Sequence, residues 1–537
     1  MNVKKQALFK VVSTVIISAI LLTGCGGGAS NSSEQTLNIP LSAEPPTLDP
    51  GLAEDSTSGA IIRQVFEGLT RIGEDDLPHE AAAEKIEISD DLKTYTFTIR
   101  EGAKWSNGEP LTANDFEYTW KRVLNPATAA NYAYQLYYIK NGEAYNKGQI
   151  DDPEQVGVKA LDARTLQVEL ENPTPFFLEL TAFYTYMPVN KAVVTENADW
   201  ANDATEKYVS NGPFKLKTWK HSSKVEIEKN EHYWDYEKVK LDQINFSIVE
   251  DESTALNMFE NGELDWAGRP TSDLPKDALQ TLKDQDRLVI MPITGTYWYK
   301  FNTEQPPFTN AKARKAFAYA IDRQTIIENV TQADEIPAMG AIPPTVAVHE
   351  GDYFKDHDVE EANRLLDEGL QELGMTRDQL SVSLSYNTNE AHAKIAQAIQ
   401  DQWKQALGVD VKLSNAEWKV YIEDLHQGNF EIGRMGWLAD YDDPVTFLEL
   451  YKDKHGGNND TLWENAQYQQ LLTQSDQETD PAKRKELLAQ AEQILMDEMP
   501  IAPIYFYTQS YVKTDKVKGV ILHGTGDIDY KYAYVEE

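Results

Sequence analysis

The sequence predicts an α/β protein built from several domains. Strand and helix patterns alternate through its second half, period-two strand patterns mark its first half, and no internal repeat or heptad run is present. The chain has 537 residues, and domains usually hold roughly 100–200 residues, so we expect two to four folded units. Strands that alternate with helices favour a twisted sheet covered by helices on both faces.

Half-buried strands are indicated in the first half by apolar side chains that recur at every second position. Tyr95, Phe97 and Ile99 alternate with threonines, and residues 166–170 show the same period. A further strand is predicted at 244–249. This alternation places one face of each strand against a core.

After residue 308 the pattern changes to alternating helices and strands. Helices are expected at 311–330, 391–407, 418–425, 466–475 and 481–496, and strands at 381–386, 409–413 and 430–437. Open sheets of this kind bind ligands beyond the carboxyl ends of their strands. The loop after Trp437 is therefore a candidate site on topology alone.

The composition and the missing motifs exclude several classes of function. A formal net charge of −37 disfavours nucleic acid and anionic lipid surfaces as partners. The single cysteine, Cys25, excludes an internal disulfide framework. The sequence holds no P-loop, nucleophile elbow, HExxH zinc motif or CxxC pair. We therefore expect a binding protein with no catalytic residue, cofactor or metal.

The N-terminus carries signals of export and membrane anchoring. Lysines without acids precede an apolar run of about 12 residues, which is too short to span a membrane and typical of a signal peptide. Residues 21–25 (LLTGC) resemble a bacterial lipobox, in which the cysteine is acylated and becomes the first residue. We expect a signal peptide at 1–24, a lipid on Cys25 and a flexible tether at 25–35. The body would then lie on the extracytoplasmic face of the cell membrane; an ordinary secretory peptide with a chance cysteine is the alternative.

One segment brings a cation, an aromatic ring and an anion close together, at Arg434, Trp437 and Asp440. A peptide is an extended zwitterion, whose ammonium needs a carboxylate and whose carboxylate needs a guanidinium. Six extended steps from Arg434 to Asp440 cover about 20 Å, the scale of a peptide of about three to five residues. An Arg–Asp pair is also a common structural salt bridge, so both interpretations stay open.

A resemblance to a known family is carried by several sequence blocks. They are residues 45–50 (PPTLDP), 65–69 (VFEGL), 105–116 (WSNGEPLTANDF), 210–214 (SNGPF), 316–323, and the run from 386 through His392, Trp418 and His426 to the segment 434–444. Together they resemble the oligopeptide-binding proteins of the OppA type, in solute-binding protein family 5 of ABC peptide importers. The resemblance covers nearly the whole mature chain, with a leader in the style of a Gram-positive lipoprotein.

The resemblance implies a class II (cluster C) periplasmic-binding-protein fold, with two α/β lobes, a hinge and an extra inserted domain. Domain I would be discontinuous, at 36–66, 190–292 and 509–537. Domain II would be an insertion at 67–189. Domain III, at 293–508, would carry the main ligand-binding residues. Two hinge crossings near 292 and 508 would let the lobes close on a ligand.

The family's ligand contacts also carry over to numbered positions. Asp440 would accept the peptide ammonium, and Arg434 would pair with the carboxylate of one ligand length, with His392 serving a slightly longer one. Backbone contacts to the peptide would come from Gly436 and Leu438, and from Glu54 and Ser56 on the opposite lobe. The side-chain pockets would be lined by Tyr132, Trp298, Trp418, Trp437 and Tyr507.

The chain departs from the family pattern at three positions. The family's lysine near a dipeptide carboxylate aligns with Thr331, so dipeptide binding is not implied. Two asparagines that contact ligand align with Gly268 and Arg269. Arg269 could contact a carboxylate or face solvent, and His392 could equally be a packed polar residue at a helix start.

The resemblance implies a monomer that delivers peptides to the permease and ATPase subunits of an ABC importer. One alternative is the same fold binding a cell-wall or signalling peptide, a metal chelate or an oligosaccharide. The 11 tryptophans and 27 tyrosines would suit the stacking of such a sugar. Another alternative is a surface-anchored glycoside hydrolase with an acidic aromatic cleft.

Overall fold

Strands and helices alternate along the computed structural model, which describes residues 35–205 and 207–536. The predicted signal peptide at 1–24, the lipidation site Cys25 and the tether up to residue 34 lie outside the described residues. Among those that are described, no helix combines the length and apolar character needed to cross a membrane. The same residues hold no cluster of His, Cys, Asp and Glu that could bind a metal ion.

The strands are numbered in chain order. They are β1 (Thr36–Leu41), β2 (Thr70–Ile72), β3 (Pro78–Glu80), β4 (Ala83–Ile88), β5 (Thr94–Ile99), β6 (Val158–Ala160), β7 (Thr165–Glu169), β8 (Phe214–Lys220), β9 (Lys224–Lys229), β10 (Gln243–Ile248), β11 (Trp266–Gly268), β12 (Val289–Phe301), β13 (Ile336–Pro337), β14 (Val382–Asn387), β15 (Val411–Ala416), β16 (Ile432–Leu438), β17 (Ile501–Lys513), β18 (Val517–Lys518), β19 (Ile521–Leu522), β20 (Ile528–Asp529) and β21 (Tyr534–Val535).

The helices are α1 (Ser56–Val65), α2 (Ala113–Leu124), α3 (Gly142–Asn146), α4 (Phe177–Leu180), α5 (Lys191–Glu196), α6 (Glu252–Glu260), α7 (Lys276–Asp284), α8 (Ala311–Tyr319), α9 (Arg323–Ile326), α10 (Val359–Leu373), α11 (Glu390–Leu407), α12 (Trp418–His426), α13 (Val445–Leu448), α14 (Ala466–Gln477) and α15 (Pro481–Glu498). Every strand and helix predicted from the sequence has a counterpart here, with ends shifted by a few residues, apart from the first predicted helix of the second half.

That helix, expected at 311–330, is divided into α8, α9 and a wide turn at Ile327–Thr331. Asp322 is extended, and its carboxylate accepts the backbone N–H of Thr325, so it caps a new helix. The buried Arg323 guanidinium donates to the carbonyls of Ala318 and Ile321. These side-chain bonds satisfy carbonyls that would pair with backbone N–H groups in a continuous helix. The apolar periodicity of the sequence carries no sign of such bonds.

A seven-stranded mixed sheet carries the candidate site, in the order β11-β17-β12-β16-β14-β15, with β13 also paired to β17. The pairs β14–β15 and β14–β16 are parallel, and β12 pairs antiparallel with both β16 and β17. Two four-stranded sheets, β1-β10-β9-β8 and β4-β5-β7-β6, lie in the other part of the chain. The α/β prediction is confirmed, with a mixed sheet.

The alternating pattern of β5 shows how the sequence determines burial. Tyr95, Phe97 and Ile99 are buried, and they face the core beside Leu166 and Val168 of the neighbouring β7. The intervening threonines of β5 are half-buried. Period-two alternation therefore fixes which face of this sheet packs inward.

Candidate ligand-binding site

A cavity of about 1080 Å³, counted together with the solvent space at its mouth, runs along β16 and ends at the loop that follows it. It is also lined by the N-terminus of α11 and by the loop that leads into α1. The predicted site residues that line it are Glu54, Ser56, Tyr132, His392, Trp418, Arg434, Gly436, Trp437, Leu438, Asp440 and Tyr507. The structure therefore brings together all of the predicted ligand-binding residues except Trp298.

Trp298 does not line this cavity. It is fully buried, and its ring packs against that of Tyr451, with centroids 6.3 Å apart. Its neighbour Tyr297 faces the other way, towards His392 and Tyr507. Because successive side chains of a strand point to opposite faces, the assignment of Trp298 to a ligand pocket is corrected to a core position.

The backbone of β16 offers a free edge to the cavity. On one side β16 pairs with β12 from Ile432 to Leu438. On the other side β14 pairs only with Ile432 and Gly433, so the edge beyond Gly433 has no strand partner within the described part of the chain. Such an edge presents N–H and C=O groups to an added strand. At Gly436 an added Cβ would lie 2.3 Å from the Tyr507 hydroxyl, so any larger residue would require the Tyr507 side chain to move.

Arg434 provides the positive end of the cavity. Its guanidinium donates to Asn387 Oδ1 at 3.3 Å and to the Tyr507 hydroxyl at 3.0 Å, and it lies 4.7 Å from the centroid of the Tyr297 ring. Its side chain is 8% exposed, Nε has no partner, and no described carboxylate forms an ion pair with it. Burying a guanidinium without a counter-ion costs free energy, and an anionic ligand that pairs with it would offset this cost.

His392 lies near Arg434 as a neutral donor or acceptor. Burial lowers the pKa of the imidazole well below its usual value, and the charges of Arg434 and Arg269 lower it further. Its backbone N–H is capped by Asn389, at the start of α11, and its Nδ1 lies 3.4 Å from the Tyr297 hydroxyl. His392 can therefore assist an anion through a hydrogen bond but adds no charge.

Asp440 provides the negative end. The Tyr132 hydroxyl donates to its Oδ1 at 3.3 Å and Gln135 Nε2 donates to its Oδ2 at 2.8 Å, while no described cation forms an ion pair with it. Burial raises the pKa of Asp440 well above its usual range, and the charge of Glu449 adds to this effect. A ligand ammonium at this carboxylate would reverse the shift.

Among the described residues, the cavity therefore has a carboxyl group without a cation at one end and a guanidinium without a carboxylate at the other. The model for the bacterial extracellular solute-binding proteins, family 5, matches residues 77–459 of the chain. The chain belongs to this family. It is thus a solute-binding protein and not an enzyme, as the sequence predicts.

The relatives of this family-5 protein match it over almost its full length. The oligopeptide-binding protein OppA of Bacillus subtilis is 53% identical over 542 residues, which cover 98% of this chain and 99% of the relative. The structure of the murein tripeptide binding protein MppA of Escherichia coli has a TM-score of 0.89 at 34% identity, covering 94% of this chain and 99% of that one. Listeria monocytogenes OppA, solved bound to peptide, has a TM-score of 0.87 at 35% identity, with coverages of 94% and 100%.

Several residues of this family-5 site were not predicted from the sequence. They are Arg63, Tyr184, Asn387 and Asn389, which line the cavity, and Gln135, which holds Asp440. Gln135 is fully buried three positions after Tyr132, in a short irregular helix. No motif distinguishes a glutamine that supports a carboxylate from one that faces solvent.

The positions that depart from the family pattern fall in different places. Arg269 lines the cavity, its Nε lies 2.6 Å from Asp273 Oδ1, and its guanidinium lies over the Tyr507 ring. Thr331 is fully buried and donates to Glu335 at 2.8 Å, and it does not line the cavity. Arg269 is therefore a second cation at the positive end, whereas Thr331 supports the fold.

His426 joins α12 to the loop before α1 at the cavity wall. Its Nδ1 lies 2.7 Å from Asp460 Oδ1 and its Nε2 lies 2.9 Å from Glu54 Oε1, while Asn131 also donates to Glu54. Burial opposes the charged imidazole, but the two carboxylates outweigh it and raise the pKa of His426 to about 10. The Glu54 carboxylate is thus occupied, which leaves its backbone for a ligand, and Ser56 begins α1 as an exposed residue beside it.

This bridge predicts a pH-dependent stability. The ordinary imidazole value is 6.5 and the folded value is about 10, so the stabilisation is complete below pH 6.5 and is lost as the pH rises towards 10. We expect the melting temperature to fall between pH 7 and pH 10 by about 1–3 °C more in the wild type than in His426→Gln. Thermal melts of both proteins at both pH values measure this, and equal pH dependence would contradict the bridge.

Proposed function

We propose that this protein captures peptides of about three to five residues between two closing lobes and delivers them to an ABC importer. The observation that carries the proposal is the pair of unneutralised groups at the two ends of one cavity. Asp440 has no cation and Arg434 has no carboxylate among the described residues. An extended peptide supplies both missing charges at once.

The spacing of the two ends matches such a ligand. Arg434 lies on β16 and Asp440 follows two residues after its end. Six extended residue steps from Arg434 to Asp440 span about 20 Å, and the free edge of β16 lies between these two residues in the chain. The backbone of a bound peptide would form hydrogen bonds with Gly436 and Leu438. The protein would then recognise the two termini and the main chain, with little selectivity for most of the side chains.

Closure would occur where the chain crosses between the lobes. The proposed hinge crossings near 292 and 508 lie opposite each other, because Pro292 of β12 pairs with Thr508 of β17. The register of this ladder shifts between Pro292 and Thr296. A local irregularity shared by both crossing strands is a suitable hinge, and it supports the division into domain I, the insertion at 67–189 and domain III.

The same proposal includes a lipid anchor at Cys25, a flexible tether and a monomeric body on the extracytoplasmic face of the membrane. The permease and ATPase subunits of the importer are the implied protein partners. The OppA relatives are named oligopeptide-binding proteins, and the Listeria monocytogenes protein was solved with bound peptide, which supports this ligand class.

The deciding experiment is calorimetric titration at low salt. Residues 35–537 form one compact unit, so the soluble chain from Ser30 onward is suitable. Trialanine, N-acetyl-trialanine and trialanine amide are injected in turn. We expect micromolar or tighter binding of the free peptide and about hundredfold weaker binding of each blocked form, since each leaves one buried charge unpaired. Equal affinity for all three, or no binding across a peptide library, would redirect the search to chelates, wall fragments and sugars.

A further inference from the structure

A second cavity of about 860 Å³, counted together with the solvent space at its mouth, adjoins the negative end of the peptide cavity. Arg63, Asp440 and Asp527 line both spaces, so the two cavities meet at the carboxylate that we assign to the peptide ammonium. We call this space the second chamber. A ligand whose first residue sits at Asp440 would have the second chamber within reach of its first side chain.

Part of the second chamber is apolar. Its apolar wall consists of Ile72, Ala182, Phe183, Met187 and Ile528. Phe183 and Met187 are almost fully buried, so these side chains form a fixed surface. A surface of this kind suits the methylene stem of a long side chain.

The cations of the second chamber are already neutralised. Arg63 lies 2.8 Å from Asp527, and Arg71 makes two bonds to Asp529, at 2.6 and 2.8 Å. Each guanidinium therefore has its own carboxylate and leaves no net positive charge to repel a cationic ligand.

Glu179 and Asp442 of the second chamber have no such partner, and Asp76, which also lines it, lies 3.1 Å from His523 Nδ1. Glu179 accepts the backbone N–H of Asp442 at 2.7 Å, and neither residue forms an ion pair with a described cation. Burial raises the pKa of Glu179, and the charges of Asp442 and Asp443 raise it further. Asp443 does have a cation partner, because the Arg484 guanidinium donates to both of its carboxylate oxygens, at 2.6 and 2.9 Å. With Asp440, the second chamber therefore has three carboxyl groups that form no ion pair with a described cation, and one peptide ammonium can occupy only one of them.

We propose that the second chamber binds the side chain of the first peptide residue when that residue is lysine or arginine. The methylene stem lies along the apolar wall and the cationic head reaches Glu179 and Asp442. The combination of an apolar wall with unpaired carboxylates matches the two parts of such a side chain, and neither part alone would select it. This inference rests on the proposed function, because it needs the peptide ammonium at Asp440.

The test compares matched tripeptides by calorimetric titration of the soluble chain from Ser30 onward. Lys-Ala-Ala is compared with norleucyl-Ala-Ala, which keeps the stem and lacks the charge, and with Ala-Lys-Ala, which moves the charge to position two. We expect Lys-Ala-Ala to bind about tenfold more tightly than either. Equal affinities for the lysine and norleucine peptides would overturn the proposal, and so would equal gains from lysine at both positions.

Two variants locate the effect. In Glu179→Gln the advantage of Lys-Ala-Ala over norleucyl-Ala-Ala should fall to about twofold or less. In the matched control Glu196→Gln, which removes an exposed carboxylate on α5 that lines neither cavity, the advantage should persist. A full advantage in Glu179→Gln would overturn the assignment. Trialanine separates the two levels: if it fails to bind the wild type, the proposed function fails, whereas if it binds and lysine adds nothing, only the second chamber assignment fails.

Discussion

Replacing Asp440 with asparagine is expected to weaken the binding of a free tripeptide by about 2–5 kcal/mol, which corresponds to roughly 30- to 5000-fold. Asparagine keeps the size of the side chain and its bond from Gln135, but it cannot neutralise a buried ammonium. Calorimetric titration measures the loss. N-acetyl-trialanine is the control ligand, because it has no ammonium and its weak affinity should change little in the variant. A loss below about 0.5 kcal/mol for the free peptide would contradict the role of Asp440.

Asp440→Asn should also abolish the release of a proton that we expect when peptide binds to the wild type. The pKa of Asp440 is well above its usual value in the empty cavity, because the carboxyl is buried and lies near Glu449. A bound ammonium favours the ionised form, so a protonated Asp440 must release its proton when peptide binds. Affinity should therefore decline as the pH falls below the pKa of the empty site. Titrations in two buffers of different ionisation enthalpy detect the released proton, which should be absent in Asp440→Asn.

Replacing Arg434 with glutamine is expected to weaken the binding of a free tripeptide by about 2–5 kcal/mol. The loss should be confined to ligands that carry a terminal carboxylate. Trialanine amide is the control, and its affinity should fall by less than about threefold. Arg434→Lys should be intermediate, because a lysine keeps the charge and loses the planar fork that meets two carboxylate oxygens. Equal losses for the free and amidated peptides would show that Arg434 supports the fold and does not bind the carboxylate.

Stability offers an independent readout for Arg434. Its guanidinium is buried, forms no ion pair with a carboxylate of residues 35–205 or 207–536, and has no partner for Nε there. Removing an uncompensated buried charge relieves a cost, so the empty Arg434→Gln protein should melt at or above the wild-type temperature. A variant that binds less and melts no lower would separate function from folding. A lower melting temperature would indicate that the bonds to Asn387 and Tyr507 are structural.

The structure also explains why the site was partly visible in the sequence. Arg434, Gly436, Leu438 and Asp440 follow each other on one strand and its loop, so a short segment already displays both charges and the strand edge. Trp298 was assigned to a side-chain pocket by the family resemblance alone, whereas the face of β12 that meets the ligand depends on how β12 pairs with β16 and β17. Local periodicity shows that two faces exist, but it does not say which one meets the ligand.

The amino-acid sequence predicts the signal peptide, the α/β pattern and the charged segment from Arg434 to Asp440, because each of these depends on residues close together in the chain. Which charged groups of that segment have a partner became visible in the folded protein. Arg484 neutralises Asp443 from 41 positions away, while Asp440, three residues earlier, receives hydrogen bonds from the neutral Tyr132 and Gln135 and forms no ion pair with a described cation. The distinction between a structural carboxylate and a binding one depends on which distant cation folding brings near, and composition and spacing carry no information about that.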